Sequence, residues 1–122
     1  MITMMNQKLK FKRGDTILVL FPHSNLSTAK TRPALVVQAD NLNTGLPQVV
    51  VAMITSKMFR ANHLSRVPLL LSSAEGKLSG LLSNSVVMTD NLATIFHSEI
   101  DRTIGTIPMD KVDAALCHTL GL

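Results

Sequence analysis

The chain has no tryptophan and no tyrosine, and only four phenylalanines among its 122 residues. Stacking of bases on aromatic platforms, one common way to hold single-stranded nucleic acid, is therefore poorly supplied. A single cysteine, Cys117, excludes an intramolecular disulfide framework and a cysteine-built metal centre, and it fits a reducing compartment. The uncharged apolar runs fall far short of the ~20 residues that a membrane-spanning helix needs. The opening MITMMNQKLKFKRGD lacks the continuous apolar stretch of a secretory signal, so a cytoplasmic protein with no membrane partner is expected. Charge is sparse as well, 16% of residues against 46% hydrophobic, which is the balance of a folded domain and not of a disordered chain. The charge present leans positive: twelve Lys and Arg against eight Asp and Glu give a net +4. That excess permits an anionic partner without demanding one.

The remaining composition is rich in short apolar runs separated by turn residues. One domain over residues 1–122 is expected, with 1–10 as a loose polar lead-in. DTILVLF (15–21), PALVVQA (33–39) and QVVVAMITS (48–56) read as strands, the third too apolar on both faces to be an edge. RVPLLLS (66–72) reads as a fourth strand whose Pro68 suits an edge or a bulge. SVVMT (85–89) and RTIGTI (102–107) are further short strands, while TIFHSEI (94–100) is ambiguous. HSNLSTAKT (23–31) and MFRANHLS (58–65) read as exposed connections, and SSAEGKLSG (72–80) as a turn-rich link. In the tail, Met109, Val112, Leu116 and Leu120 recur at helical spacing, with Pro108 suited to a first turn and Gly121 to a stop. Short strands followed by one helix point to a mainly β fold, a bent antiparallel sheet or partly open barrel.

One arginine is placed unusually. In TRPALVVQAD, Arg32 is set against Pro33 at the mouth of a core strand. A guanidinium stays charged and presents a planar fork of donors that matches two phosphate oxygens, although a surface ion pair would account for it as well. Four histidines, at 23, 63, 97 and 118, are scattered. His23 shares a polar loop with Ser27 and is the natural proton shuttle there, or a solvated side chain. Arg60, His63 and Arg66 form a basic cluster fitted to an RNA backbone or to a solvated loop. Lys30 and Lys57 would deepen a positive groove or solvate loop ends. No His, Cys or carboxylate pair has the spacing of metal ligands on a helix or hairpin, so neither metal nor cofactor is expected.

Four segments taken in order, KRGDTILVLF, TRPALVVQAD, VVVAMITSK and SNSVVMTDNLATI with the closing IGTIPMDKVDAALCHTLGL, resemble the MazF/PemK family of toxin endoribonucleases. The resemblance runs from about Phe11 to Leu122. It implies an SH3-like small barrel of the MazF/PemK/CcdB type and a homodimer. The implied activity is metal-independent cleavage of single-stranded RNA at short sequences. The implied partners are a cognate antitoxin and, through the antitoxin complex, DNA. Carried over by motif, the arginine of the RP pair is Arg32, the threonine of the ITSK-like motif is Thr55, and the aspartate after the VV pair is Asp90. Thr55 would hold the phosphate, or bond its own backbone at a strand end. Asp90 would orient Arg32 or meet an RNA base edge, or cap the turn DNL. The chain departs from the family where Ser27 and Thr28 replace a glutamate and its neighbour, where Met88 replaces an arginine, and at Ala93. The same barrel also serves gyrase-directed poisons and non-catalytic autorepressors, which remain alternatives.

Overall fold

A computed structural model describes residues 11–22 and 29–122. The lead-in at 1–10, together with His23, Ser27 and Thr28, lies outside the described residues. The chain runs β1 (Asp15–Pro22), β2 (Ala29–Val36), β3 (Gln48–Thr55), β4 (Arg66–Leu69), α1 (Ala74–Leu78), β5 (Ser85–Phe96), β6 (Ile100–Thr106) and α2 (Asp110–Leu120). Short 3-10 turns occupy Met58–Arg60 and His97–Glu99. The strands form one antiparallel sheet in the order β4-β5-β3-β2-β1-β6.

The apolar β3 lies between β5 and β2, as its two hydrophobic faces require. Alternation along the strands divides the apolar side chains between two clusters. Leu35, Ala52, Val67, Val87 and Ile107 pack with Val112 and Ala115 of α2. Ile17, Val19, Ala34, Val36, Val49 and Val51 form the second cluster, from positions one residue out of step. Val112 is fully buried, and burying a side chain of that size contributes about 1.5–3 kcal/mol, which fixes α2 on the sheet. The expected helical stripe holds at Met109, Val112 and Leu116, while Leu120 is exposed in the last turn. Gly121 ends the helix at φ 72, a left-handed conformation that glycine enters without a Cβ penalty.

Three elements differ from their sequence reading: the link at 72–80 contains the helix α1, and β2 and β5 have other bounds than expected. β2 begins at Ala29, so Lys30 and Thr31 belong to a strand and not to a loop, and Arg32 lies inside that strand and not at its mouth. β5 is one strand of twelve residues, because its register jumps from Ala52↔Leu92 to Met53↔Met88. Thr89, Asp90 and Asn91 are extra residues there, and this polar interruption makes one strand look like two.

The closed SH3-like barrel implied by the resemblance is not formed. β4 and β6 are the two edges of an open sheet, and they do not pair with each other. The reason lies in what stands beside them. β4 has four residues, one of them Pro68, which donates no ladder hydrogen bond. α1 and the turn after it contact the chain just beyond β4 at one end and β6 at the other, through glycines that allow backbone to meet backbone. A Cβ on Gly76 would fall 1.9 Å from the Leu70 carbonyl oxygen, one on Gly80 2.0 Å from the Ile104 oxygen, and one on Gly105 2.4 Å from the Leu78 oxygen. A helical segment thus bridges the gap that strand pairing would close.

Gly80 also has a φ of 74, so alanine there meets both backbone strain and a clash. Gly80→Ala is expected to lose about 2–6 kcal/mol, the sum of a strained residue and an overpacked contact. Gly45→Ala has a similar φ of 78 but open space, and should lose only about 1–2 kcal/mol. Urea midpoints of the two variants check this, and equal losses would mean that the α1 bridge does not hold the sheet's open side.

Candidate nucleic-acid interface

Every second residue of an antiparallel strand points its N–H toward the same neighbour. Just past β2 the Val37 and Gln38 amides both donate to the Val50 carbonyl, at 3.1 and 3.2 Å, and the Val36 carbonyl accepts from Gly14 beside β1 at 2.9 Å, so the even-numbered residues of β2 face β1 and the odd-numbered amides face β3. The next donors in that series are Leu35 and Pro33, and proline has none. Pairing between β2 and β3 accordingly covers only Ala34–Val36, while β2 stays paired with β1 through its whole length. Beyond Ala34 the two strands are unpaired, and a groove of about 540 Å³ lies at that place.

Arg32, Thr55, Lys57 and Arg102 line this groove over apolar surface from Leu18, Pro33, Ile54 and Ile104. Among the described residues no carboxylate lines it, and the stretch Gly80–Ser83 that follows α1 forms one wall. Thr55 Oγ1 accepts a hydrogen bond from the Lys57 amide at 3.2 Å, the local strand-end bond that such a threonine favours. Its own proton remains available to donate. Among the described residues, no carboxylate lies within ion-pair distance of Arg32 or Lys57. The groove is therefore built of donors and fixed positive charge, which suits an anion with apolar parts.

The structure brings Arg32, Thr55 and Lys57 together and sets the other sequence candidates apart from them. Lys30 is an exposed residue of β2 that does not line the groove. Arg66 binds Asp90 through two hydrogen bonds, at 2.8 and 3.4 Å, and donates to the Arg60 carbonyl at 3.3 Å. Arg60 lies 5.7 Å over the Phe59 ring. His63 accepts from the Ser65 amide at Nδ1 and stands edge-on to His118 at 6.0 Å. The partner of Asp90 is Arg66, on the neighbouring strand, and not Arg32. That hydrogen bond holds the Asp90 carboxyl below the usual carboxylate range and raises the Arg66 guanidinium. His23 lies outside the described residues. Among those described, no group of three or more His, Cys, Asp or Glu could hold a metal ion, and no helix is long and apolar enough to cross a membrane.

Sequence reading missed Arg102. Its signal is the strand register: Leu18 is opposed by Pro33 on one side and by Arg102 on the other. The side chain is tied to its neighbour Asp101 at 2.6 Å and is 65% exposed.

A family model described as the PemK-like, MazF-like toxin of type II toxin–antitoxin systems matches residues 12–120. The chain belongs to this family. Solved structures share the fold at low identity. An endoribonuclease from a mycobacterial species is 22% identical, with 96% of this chain and 97% of that one covered and a TM-score of 0.68. A second, solved in complex with its cognate antitoxin, is also 22% identical over 92% of this chain and 96% of its own, with a TM-score of 0.68. A MazE–MazF structure from Deinococcus radiodurans is 20% identical over 94% of this chain and 99% of that one, with a TM-score of 0.70. The PemK-like match begins one residue before Arg13 and ends within α2, so it spans both walls of the groove.

The Arg66–Asp90 tie gives this PemK-like chain a defined acid response. A depressed folded carboxyl contributes stability that is complete above the ordinary aspartate value of about 3.9 and disappears as pH falls through the lower folded value. Asp90→Asn should thus be less stable than the native chain at pH ~6 and should converge with it in strong acid. Denaturant titrations across that range check the sign, and a gap that widens in acid would contradict it.

Proposed function

We propose that this chain is an endoribonuclease, the toxin of a type II toxin–antitoxin pair, which cleaves single-stranded RNA in the groove between β2 and β3. One observation carries the reading: Arg32, Lys57 and Arg102 line the groove with hydroxyl residues that include Thr55, and among the described residues no carboxylate lines it. An RNA strand supplies what such a groove lacks, a negative backbone with flat apolar bases.

In the proposed reaction the ribose 2′-oxygen attacks the adjacent phosphorus, and the 5′-oxygen of the next nucleotide leaves. Charge grows on the non-bridging oxygens as the phosphorane forms. Arg32 donates to these oxygens, and donors fixed in place before the reaction stabilise that charge without reorganising. Pro33 limits how far the backbone at Arg32 moves, because its own φ is locked near −65°. Thr55, its oxygen held by the Lys57 amide, donates a hydrogen bond to the same phosphate. Lys57 adds positive charge at the groove wall. His23 stands in the segment between β1 and β2 and is the residue there able to carry a proton near neutral pH. We assign it both proton transfers: it takes the 2′-hydroxyl proton as the attack proceeds and delivers a proton to the leaving 5′-oxygen. The products are a 2′,3′-cyclic phosphate and a 5′-hydroxyl, and the scheme uses no metal.

The outlying Arg60, His63 and Arg66 are proposed to contact flanking backbone, with part of the Arg66 charge already matched by Asp90. A homodimer and a cognate antitoxin complete the proposal, with DNA reached through the antitoxin complex. The mycobacterial relative solved with its cognate antitoxin supports that partner.

Arg32→Ala should keep the native circular dichroism and lower kcat about 10²- to 10³-fold, the cost of removing one such donor. Arg32→Lys should recover only part, because an ammonium retains the charge without the bidentate fork. Cleavage of a mixed-sequence RNA in EDTA provides the assay. A folded Arg32→Ala protein that cuts at the native rate would remove Arg32 from the site. Inability of the native chain to cut any RNA would favour a protein-binding poison.

A further inference from the structure

The groove has a second arginine that the reaction above leaves without a role. Leu18 of β1 lies between Pro33 of β2 and Arg102 of β6, and directly opposed residues of neighbouring strands share one face. Arg102 thus shares a face with Leu18 and Pro33, about 9.5 Å from Pro33 at ordinary sheet spacing, while Arg32, the next residue along β2, alternates to the other face with its β1 partner Val19 and lines the groove from there. The two arginines therefore reach one groove from different faces of the sheet, where a single strand of RNA would meet both.

β6 is irregular on either side of Arg102. Its register with β1 steps from Thr16↔Gly105 to Ile17↔Thr103, and again from Leu18↔Arg102 to Val19↔Ile100. Ile104 and Asp101 are the extra residues, so Arg102 and Thr103 stand between two bulges. Bulges bend a strand and re-aim side chains, and they recur beside active sites. The stretch is also held from behind, since Gly80 and Gly105 bring the turn after α1 into backbone contact with β6. Among the described residues the one carboxylate that pairs with Arg102 is Asp101, through a single nitrogen at 2.6 Å. A guanidinium has five N–H donors, so the rest of the fork is open to the groove.

We propose that Arg102 is a substrate-positioning residue that binds a backbone phosphate flanking the scissile one, on the Leu18–Pro33 side of the groove. The assignment rests on the RNA reading of the groove and deepens it. Arg102 acts on binding of the strand in ground state and transition state alike, so its removal is expected mainly in KM, whereas Arg32 is expected mainly in kcat.

The test measures binding separately from cleavage. The full chain is titrated with a mixed-sequence 2′-O-methyl RNA, which lacks the attacking hydroxyl, by fluorescence anisotropy from about 50 to 300 mM salt, where each neutralised phosphate contributes about 0.7 to the slope of log K against log salt. Arg102→Ala should weaken binding about two- to fivefold, as for an exposed ion pair, and should make that slope shallower by about 0.7. Arg102→Lys should restore the slope, which a merely structural role would not predict. Lys111→Ala, an exposed cation of α2 outside the groove, should leave the slope unchanged. A native slope in Arg102→Ala, or a slope lost equally in Lys111→Ala, overturns the proposal. Native protein that fails to bind overturns it together with the RNA reading. Native protein that binds with the Arg102-dependent slope but leaves unmodified RNA intact supports the positioning role and sinks the nuclease.

Discussion

A missing amide hydrogen organises this molecule. Pro33 stands where β2 would next donate to β3, and without that donor the ladder stops after three paired residues. Strands that would otherwise stay zipped to their ends separate at Arg32 and Thr55, and a groove lies between them. An unpaired strand end usually invites misassembly, yet here β2 remains fully paired with β1 on its other side. The proline also restricts the backbone beside Arg32. One residue thus makes the opening and steadies the charge at its rim.

The distribution of charge follows the same geometry. Arg13 pairs with Asp113, Arg66 with Asp90 and Lys111 with Glu75, which matches cations to carboxylates around α2 and β4. Arg32 and Lys57 have no such partner among the described residues, and they line the groove. Lys12, Lys30, Arg60 and Lys77 are likewise unpaired among the described residues, so Arg32 and Lys57 are the share of that free charge which lines the groove. Arg13 adds a mechanical role, since it also donates to the Val37 carbonyl while its amide donates to Asp40, tying α2 to the strand that carries Pro33.

Much of this was legible in the sequence. The four apolar runs and the helical spacing of Met109, Val112 and Leu116 gave the strands and α2, because burial of one face imposes a period that composition cannot hide. Pro68 correctly indicated an edge. The RP pair, the ITSK-like motif and the closing LGL carried the family resemblance, which the match over residues 12–120 bears out. The open sheet was not legible: it depends on glycines at 76, 80 and 105 meeting backbone far away in the chain, and a glycine in sequence does not name what approaches it. Asp90 paired with Arg66 and Arg102 beside the groove escaped notice for a related cause. Both depend on irregular register, three extra residues in β5 and two single bulges in β6, and alternation patterns carry no sign of a bulge.

The central claim is that the gap opened at Pro33 is the seat of the RNA. Amide hydrogen exchange of the full chain, with and without a saturating non-cleavable single-stranded RNA, tests this most directly. The account predicts new protection at Thr31, Ser56, Lys57 and the Gly80–Ser83 wall. Protection confined to Arg60–Arg66 and the His118 turn of α2, with the β2–β3 gap exchanging as in the free protein, would contradict it.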